Sequence, residues 1–220
     1  MKASDAVTRD GLTGLPDRTS FEAILEAALE EAEKETGSVS LGVLDIDFFG
    51  RLNEEHGRAA GDAALVDLAR ALAEAFDGKG TPCRYGGDAM AVVMPGAEKE
   101  HAFLALETFR AEYSGTRTLT VDGSDPLVLE IRLGGGLAAS PDDGTKQVDL
   151  INKANDALYR AKVSGRDKVC LAREEKMVTK TSHYTQGQLT GLRRLAEREG
   201  IGEAVLLREG LNDLLRKYNA

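Results

Sequence analysis

The sequence predicts an α/β sandwich around a mixed, largely antiparallel sheet, followed by a smaller C-terminal module of different texture. Three observations carry this. Short apolar runs rich in β-branched residues alternate irregularly with longer segments of helical periodicity, so the order is not the strict β-α alternation of a parallel fold. Gly86-Gly87 stands between two of those runs and marks a hairpin, whose strands pair antiparallel. The charge also changes sign along the chain: residues 1–172 carry 19 Lys+Arg against 30 Asp+Glu, or −11, whereas residues 173–220 carry 9 against 7, or +2.

Phe21, Ile24, Leu25, Ala28, Leu29 and Ala32 recur at helical spacing and predict an amphipathic helix ending near Gly37. "VSLGVLDI", residues 39–46, reads as a buried strand that delivers Asp45 and Asp47 to its C-terminal end. Leu65, Leu68, Ala69, Leu72 and Phe76 form the stripe of a second helix, closed by Asp77-Gly78. Strands are expected around 82–85 and 89–94, a helix over 98–113, and strands over 116–121 and 127–139 with a turn of Asp-Gly-Ser-Asp-Pro composition between them. A helix over 147–163 and a strand over 168–172 complete the larger unit, giving expected domains at 1–172 and 173–220.

With 220 residues, 42% hydrophobic and 30% charged, the chain can bury one substantial core. It contains no apolar run near the ~20 residues of a membrane helix and no apolar leader segment, so no membrane partner and a cytoplasmic location are expected. Cys83 and Cys170 lack metal-ligand spacing and read as strand residues of a reducing compartment. A net charge of −9 argues against wholesale coating of nucleic acid.

Asp45 closes one strand, and Asp88 sits on a hairpin turn that can lie beside it. Two carboxylates converging from separate strands suit a hard cation such as Mg²⁺ and a phosphate chain, the setting of phosphoryl or nucleotidyl transfer. By spacing alone, solvated acids at strand ends are the commoner case.

The wider pattern adds to this. "DGLTGLPDR" at 10–18, "DIDFFGRLNEEHGRAAGDAAL" at 45–65, "RYGGDAM" at 84–90, "LGGGLAASPDDG" at 133–144 and "ANDALYRAKVSGRDKV" at 154–169 resemble, in order and spacing, the GGDEF family of diguanylate cyclases. The resemblance covers residues 8–172 and implies a polymerase-palm-like (nucleotide-cyclase-like) α/β domain holding one GTP per protomer, two such domains joining two GTP into cyclic di-GMP. Carried over residue by residue, it implies that Asp45, the Ile46 carbonyl and Asp88 hold Mg²⁺ (or Mn²⁺) with GTP. Asn53 and Asp62 would read guanine, since an amide and a carboxylate together match its donor and acceptor edge. Backbone groups at Phe48 and Phe49, with the side chains of Lys162 and Arg166, would take the phosphates. Gly86 and Gly87 would let the backbone approach the nucleotide.

Three departures stand out. The family's fourth signature position is normally Glu or Asp, and here it is Ala89, followed by Met90 in place of the usual Phe. Loss of such a group commonly costs about two to four orders of magnitude in rate. A Lys usual in the family is Gly50 here, with Arg51 as a candidate substitute, and the Arg-x-x-Asp of the family's product-inhibition site is replaced by Asp77-Gly78-Lys79-Gly80. The pattern predicts nucleotide binding with impaired catalysis at Asp88.

The tail resembles a ribbon-helix-helix module, carried by "VTKTSHY", "QLTGLRRLAEREGI" and "AVLLREGLNDLLRKY". The resemblance implies a dimer whose paired strands, here over 177–185, enter the DNA major groove, with Lys180, Thr181 and His183 on the DNA side. Leu189, Leu192, Leu195 and Ala196 line the first expected helix, and Leu207, Leu211, Leu214, Leu215 and Tyr218 the second. So small a unit cannot bury its own apolar faces, which predicts a homodimer through the tail. A charge of +2 is low for a DNA binder, so a tail that only dimerises is the competing expectation.

Together these give a regulator of cyclic di-GMP signalling that binds GTP or cyclic di-GMP and contacts DNA. The alternative is an active diguanylate cyclase dimerised by its tail. Nine residues precede "DGLTGLPD", which predicts that input arrives through nucleotide, tail or another protein.

Overall fold

The computed structural model describes residues 7–121, 125–173, 182–199 and 203–217. The chain divides into two compact units, Met1–Glu174 and Glu175–Ala220.

In the first unit, helix α1 (Arg18–Glu35) opens on Asp17, whose carboxylate accepts from the Ser20 N–H as an N-cap. Strand β1 (Val39–Ile46) follows, then helices α2 (Phe49–His56) and α3 (Arg58–Ala75), hinged at Gly57 with φ of 83°. Strands β2 (Thr81–Gly86) and β3 (Ala89–Pro95) form the expected hairpin. Helix α4 (Lys99–Tyr113), strands β4 (Gly115–Leu119), β5 (Leu127–Ile131) and β6 (Leu133–Ser140), helix α5 (Gln147–Val163) and strand β7 (Val169–Leu171) complete the order.

The five-stranded sheet runs β2-β3-β1-β6-β7, all antiparallel except the parallel β6–β7 pair. The expectation of a mixed, largely antiparallel sheet therefore holds. The apolar run 127–139 behaves differently from the expectation of one strand. It breaks at Arg132, so β5 pairs with β4 in a separate two-stranded sheet while β6 enters the main one.

Alternation along β1 divides the core. Leu44 and Ile46 face α3 and α4 with Met90, Leu68, Leu72, Leu106 and Phe109. Leu41 and Val43 face α1 and α5 with Ala91, Phe21, Leu25, Ala154 and Leu158. On that second face α5 rests directly on β6: a Cβ at Gly136 would overlap the backbone of Ala154, Ala157 and Leu158. Glycine is thus what permits this helix–sheet spacing and sets the height of α5 above the strand ends.

In the second unit, helix α6 (Gln186–Glu199) begins with a reciprocal cap. The Thr185 hydroxyl accepts from the Gln188 N–H while the Gln188 side chain accepts from the Thr185 N–H. Helix α7 (Glu203–Lys217) follows, with Arg193 and Glu203 3.6 Å apart across the pair. Leu195, Leu207, Leu211 and Leu214 are exposed. Of the strand expected at 177–185, residues 182–185 are described and carry no strand, and His183 is exposed. Lys180 and Thr181 lie outside the described residues, as does Tyr218.

Candidate functional site

The odd-numbered side chains of β1 face α5, so Asp45 emerges at the strand end on the same side as Lys162 near the C-terminus of α5. Asp45 pairs in register with Ala89 across the β1–β3 ladder, which puts the two side chains on one face as direct neighbours. Ala89 offers a methyl group where a longer acid would meet Asp45. Asp88 sits beside it in the hairpin turn. Gly86 and Gly87 have φ of 147° and 56°, and a Cβ at either would meet nothing within 4 Å. Their requirement is therefore the backbone conformation of the turn.

The carboxyl of Asp45 is pushed up to about 6 by burial, with repulsion from Asp88 adding and the Lys162 ammonium opposing. Lys162 Nζ lies 3.1 Å from Asp45 Oδ1, yet that oxygen is buried and accepts no hydrogen bond. The ammonium is aimed elsewhere: it donates to Asp47 Oδ1 at 2.8 Å and to the Asp45 carbonyl at 3.3 Å. With its charge met by one ammonium and a second carboxyl beside it, Asp45 offers carboxylate oxygens of the kind a hard cation takes. Among the described residues, no three His, Cys, Asp or Glu side chains cluster closely enough to hold a metal on their own. An ion held by Asp45, the Ile46 carbonyl and Asp88 would depend on the phosphates of a nucleotide for its remaining ligands.

Phe48 caps α2 in the left-handed region at φ 59° and is exposed, while Phe49 is half-buried against the core. Arg166, also left-handed at φ 60°, lays its guanidinium 4.3 Å from the Phe48 ring centre and 3.9 Å from Asp47. Lys162 and Arg166 are therefore linked through Asp47, which sequence reading left without a role, and Phe48 joins them through Arg166. Asp47 is buried and also accepts from the Asp167 N–H at 2.9 Å. Contacts between residues over 110 positions apart leave no local pattern to find.

Asn53 on α2 and Asp62 on α3 flank the Gly57 hinge, the first half-buried and the second exposed. The Asn53 amide lies over Gly61, where a Cβ would overlap its oxygen and come within 3.1 Å of the Phe49 ring. Arg51 turns its guanidinium to Glu55 at 2.7 Å, so the candidate substitute for the missing Lys at Gly50 is engaged along its own helix. A 410 Å³ cleft between α2 and β5 is lined by apolar Leu52, Leu129 and Ile131 and by charged Asp47, Arg51 and Arg132.

The N-terminal "DGLTGLPD" segment abuts the signature hairpin. The Arg84 N–H donates to the Pro16 carbonyl, and the Arg84 guanidinium donates to the Gly87 carbonyl. Burial raises the Asp10 carboxyl, but hydrogen bonds from Thr13 and the Arg84 charge outweigh it and hold Asp10 below its usual range. Asn155 on α5 donates to the Tyr85 hydroxyl at 2.9 Å, tying the same hairpin to α5.

Comparison with known proteins places this geometry. Residues 7–168 match the family described as "Diguanylate cyclase, GGDEF domain". The chain is 34% identical over 164 residues to the response regulator PleD of Caulobacter vibrioides, covering 74% of this chain and 36% of PleD. It is 32% identical over 163 residues to the diguanylate cyclase DgcP of Pseudomonas aeruginosa, covering 74% of this chain and 24% of DgcP. The match thus spans about a third or less of these relatives' length. Among solved structures, the coiled coil and GGDEF domain of DgcB from Caulobacter crescentus, in complex with c-di-GMP, superposes with a TM-score of 0.68 at 31% identity, over 75% of this chain and 85% of that one. The GGDEF domain of YfiN (TpbB) from Pseudomonas aeruginosa gives 0.70 at 30% identity, over 76% and 95%. Among the described residues, no helix is long and apolar enough to cross a membrane.

Proposed function

We propose a function from the premise that this chain belongs to the GGDEF family of diguanylate cyclase domains: it is a regulator in cyclic di-GMP signalling that binds a guanine nucleotide, GTP or cyclic di-GMP, and turns it over poorly or not at all. The observation that carries the proposal is the pairing of Asp45 with Ala89. A carboxylate at that position would stand on the face of Asp45, directly opposite it. Its absence leaves Asp45 and Asp88 as the acids at the reacting end.

In this reading Asn53 and Asp62 take the guanine edge across the Gly57 hinge. Lys162, Arg166 and the backbone N–H groups at Phe48 and Phe49 take the phosphates at the start of α2. Asp45, the Ile46 carbonyl and Asp88 would hold Mg²⁺ or Mn²⁺, which supplies charge neutralisation along a triphosphate. The chain's own residues bind and orient the nucleotide. Deprotonation of an attacking 3′-hydroxyl lacks the acid that position 89 would have contributed, a deficit of about 10²–10⁴ in rate.

The domain division at 1–172 and 173–220 belongs to the same proposal, with the tail forming a ribbon-helix-helix homodimer that contacts DNA. Its support is the α6–α7 pair with four exposed leucines in a unit of 46 residues, too small to close a core alone. A salt-sensitive mobility shift with DNA tests that part, and a dimer with no such shift assigns the tail to dimerisation only.

The second reading is an active diguanylate cyclase dimerised by its tail, and the observation favouring it is that Asp88 remains beside Asp45. Incubation with GTP and Mg²⁺, followed by chromatography, separates the two. The proposal predicts bound nucleotide and no cyclic di-GMP. Product at ordinary enzyme rates, abolished by Asp88→Ala, would overturn it.

A further inference from the structure

We infer that Asp167 is a positioning residue for both phosphate-binding cations, holding Arg166 through the turn of backbone they share and Lys162 through Asp47. The inference rests on the guanine-nucleotide reading above. Gly165, Arg166 and Asp167 are three consecutive residues with φ of 109°, 60° and 46°. Non-glycine residues hold the left-handed region only where their surroundings fix them. The Arg166 N–H donates to the Ala161 carbonyl at the end of α5, and the Asp167 side chain ties the same turn to Arg110 and Arg132.

Its Oδ1 lies 2.5 Å from Arg110 Nη1 on α4, and its Oδ2 accepts from Arg132 Nη1 at 3.3 Å. Arg110 is itself nearly buried, with 12% of its side chain exposed, and is clasped by Glu107 at 2.7 Å. The other oxygen of Glu107 accepts from the Val169 N–H at 2.9 Å, so α4 grips the loop on both sides of Lys168. With Arg110 nearly buried and the Asp167 side chain 30% exposed, the pair is only partly screened by salt.

The backbone of Asp167 turns the other way. Its N–H donates to Asp47 Oδ2 at 2.9 Å, and Asp47 Oδ1 accepts from Lys162 Nζ at 2.8 Å. One residue thus joins the α4 arginine to the carboxylate that orients Lys162, while its left-handed neighbour Arg166 lies across Phe48. Loss of the Asp167 carboxylate frees the loop to relax toward ordinary φ values. That relaxation takes Arg166 off its station and withdraws one donor from Asp47. Base-reading groups on α2 and α3 are not in this network, so only ligands with phosphates should register the change.

The test compares the full chain with Asp167→Asn, Asp167→Ala and Arg132→Met in one Mg²⁺-containing buffer. GTP is titrated by calorimetry, guanosine by NMR shift at millimolar ligand, and the melting temperature is recorded for each variant. Asp167→Ala is expected to weaken GTP about tenfold, the loss of one charge-assisted hydrogen bond, and guanosine less than about twofold. Asp167→Asn, which keeps an acceptor for one arginine, should fall between the parent and Asp167→Ala. Arg132→Met keeps the Arg110 clasp and the fold, and should weaken GTP about two- to threefold. Equal weakening of GTP and guanosine would assign Asp167 a purely structural role and overturn the inference, as would unchanged GTP affinity in a folded Asp167→Ala chain. Should Asp167→Ala not fold, Arg132→Met decides by the same ratio. Failure of the parent to bind GTP would instead refute the nucleotide reading itself.

Discussion

Replacing Asp45 by Asn should stabilise this protein above neutral pH, because the fold holds that carboxylate against its own preference. Its pKa is raised from 3.8 to about 6. A carboxyl raised on folding contributes stability that is fully present below the unfolded pKa and is lost as pH rises through the folded one. Between roughly pH 4 and pH 6 the parent therefore loses about 3 kcal/mol, at ~1.36 kcal/mol per pKa unit. Asparagine matches the shape and stays neutral. Its amide can donate to Asp88 and its oxygen can accept from Lys162, so most of that cost is recovered. We expect Asp45→Asn to be about 1–3 kcal/mol more stable at pH 7.5, or roughly 2–10 °C in Tm for a domain of this size. The advantage should vanish near pH 4. Urea and thermal unfolding of both proteins at pH 4, 5, 6 and 7.5 measure it. A destabilised variant, or a difference that does not change with pH, would refute the reasoning. The same substitution should weaken GTP binding in Mg²⁺, which would identify the strain as a cost of function.

Other outcomes follow from neighbouring contacts. Ala89→Glu restores an acid opposite Asp45 and should raise cyclic di-GMP formation from GTP by about 10²-fold or more over the parent, read by chromatography. No change would show that position 89 is not what limits turnover. Gly61→Ala pushes a methyl group into the Asn53 amide and should weaken guanosine and GTP alike by about tenfold, measured by titration, with a small loss of Tm. Gly136→Val meets the backbone of α5, which cannot yield like a side chain, and should cost about 3 kcal/mol or more in urea unfolding.

Much of the fold was legible because its signals are local. The stripe from Leu65 to Phe76, the β-branched run at 39–46 and the glycines at 86 and 87 each act through neighbours in sequence, and each element lies where its pattern pointed. The break at Arg132 was not legible, because Glu130 and Arg132 stand singly among apolar residues and no Gly or Pro marks position 132. Nor was the separate helix α2, whose boundary is one glycine in an otherwise polar stretch. The cap joining Thr185 and Gln188 was readable as T-x-x-Q and went unread.

At the site, the family resemblance pointed to Asp45, Asp88, Lys162 and Arg166, and the structure brings Asp45 together with Asp88 and Lys162. Asp47 and Asp167 were missed for a physical reason. Their partners Lys162, Arg110 and Arg132 come from α5, α4 and the β5–β6 junction, so each pair is set by tertiary packing and by no spacing in the chain. The register that sets Ala89 opposite Asp45 likewise appears only once β1 and β3 are paired, although the alanine itself was visible from the start.

The central claim is binding without efficient turnover. Its most direct test is a titration of the full chain with GTP and with cyclic di-GMP in Mg²⁺, with chromatographic product analysis of the same GTP samples. The account predicts saturable binding that is lost on Asn53→Ala, and GTP recovered intact. Cyclic di-GMP formed at ordinary enzyme rates, or no binding of either nucleotide, would contradict it.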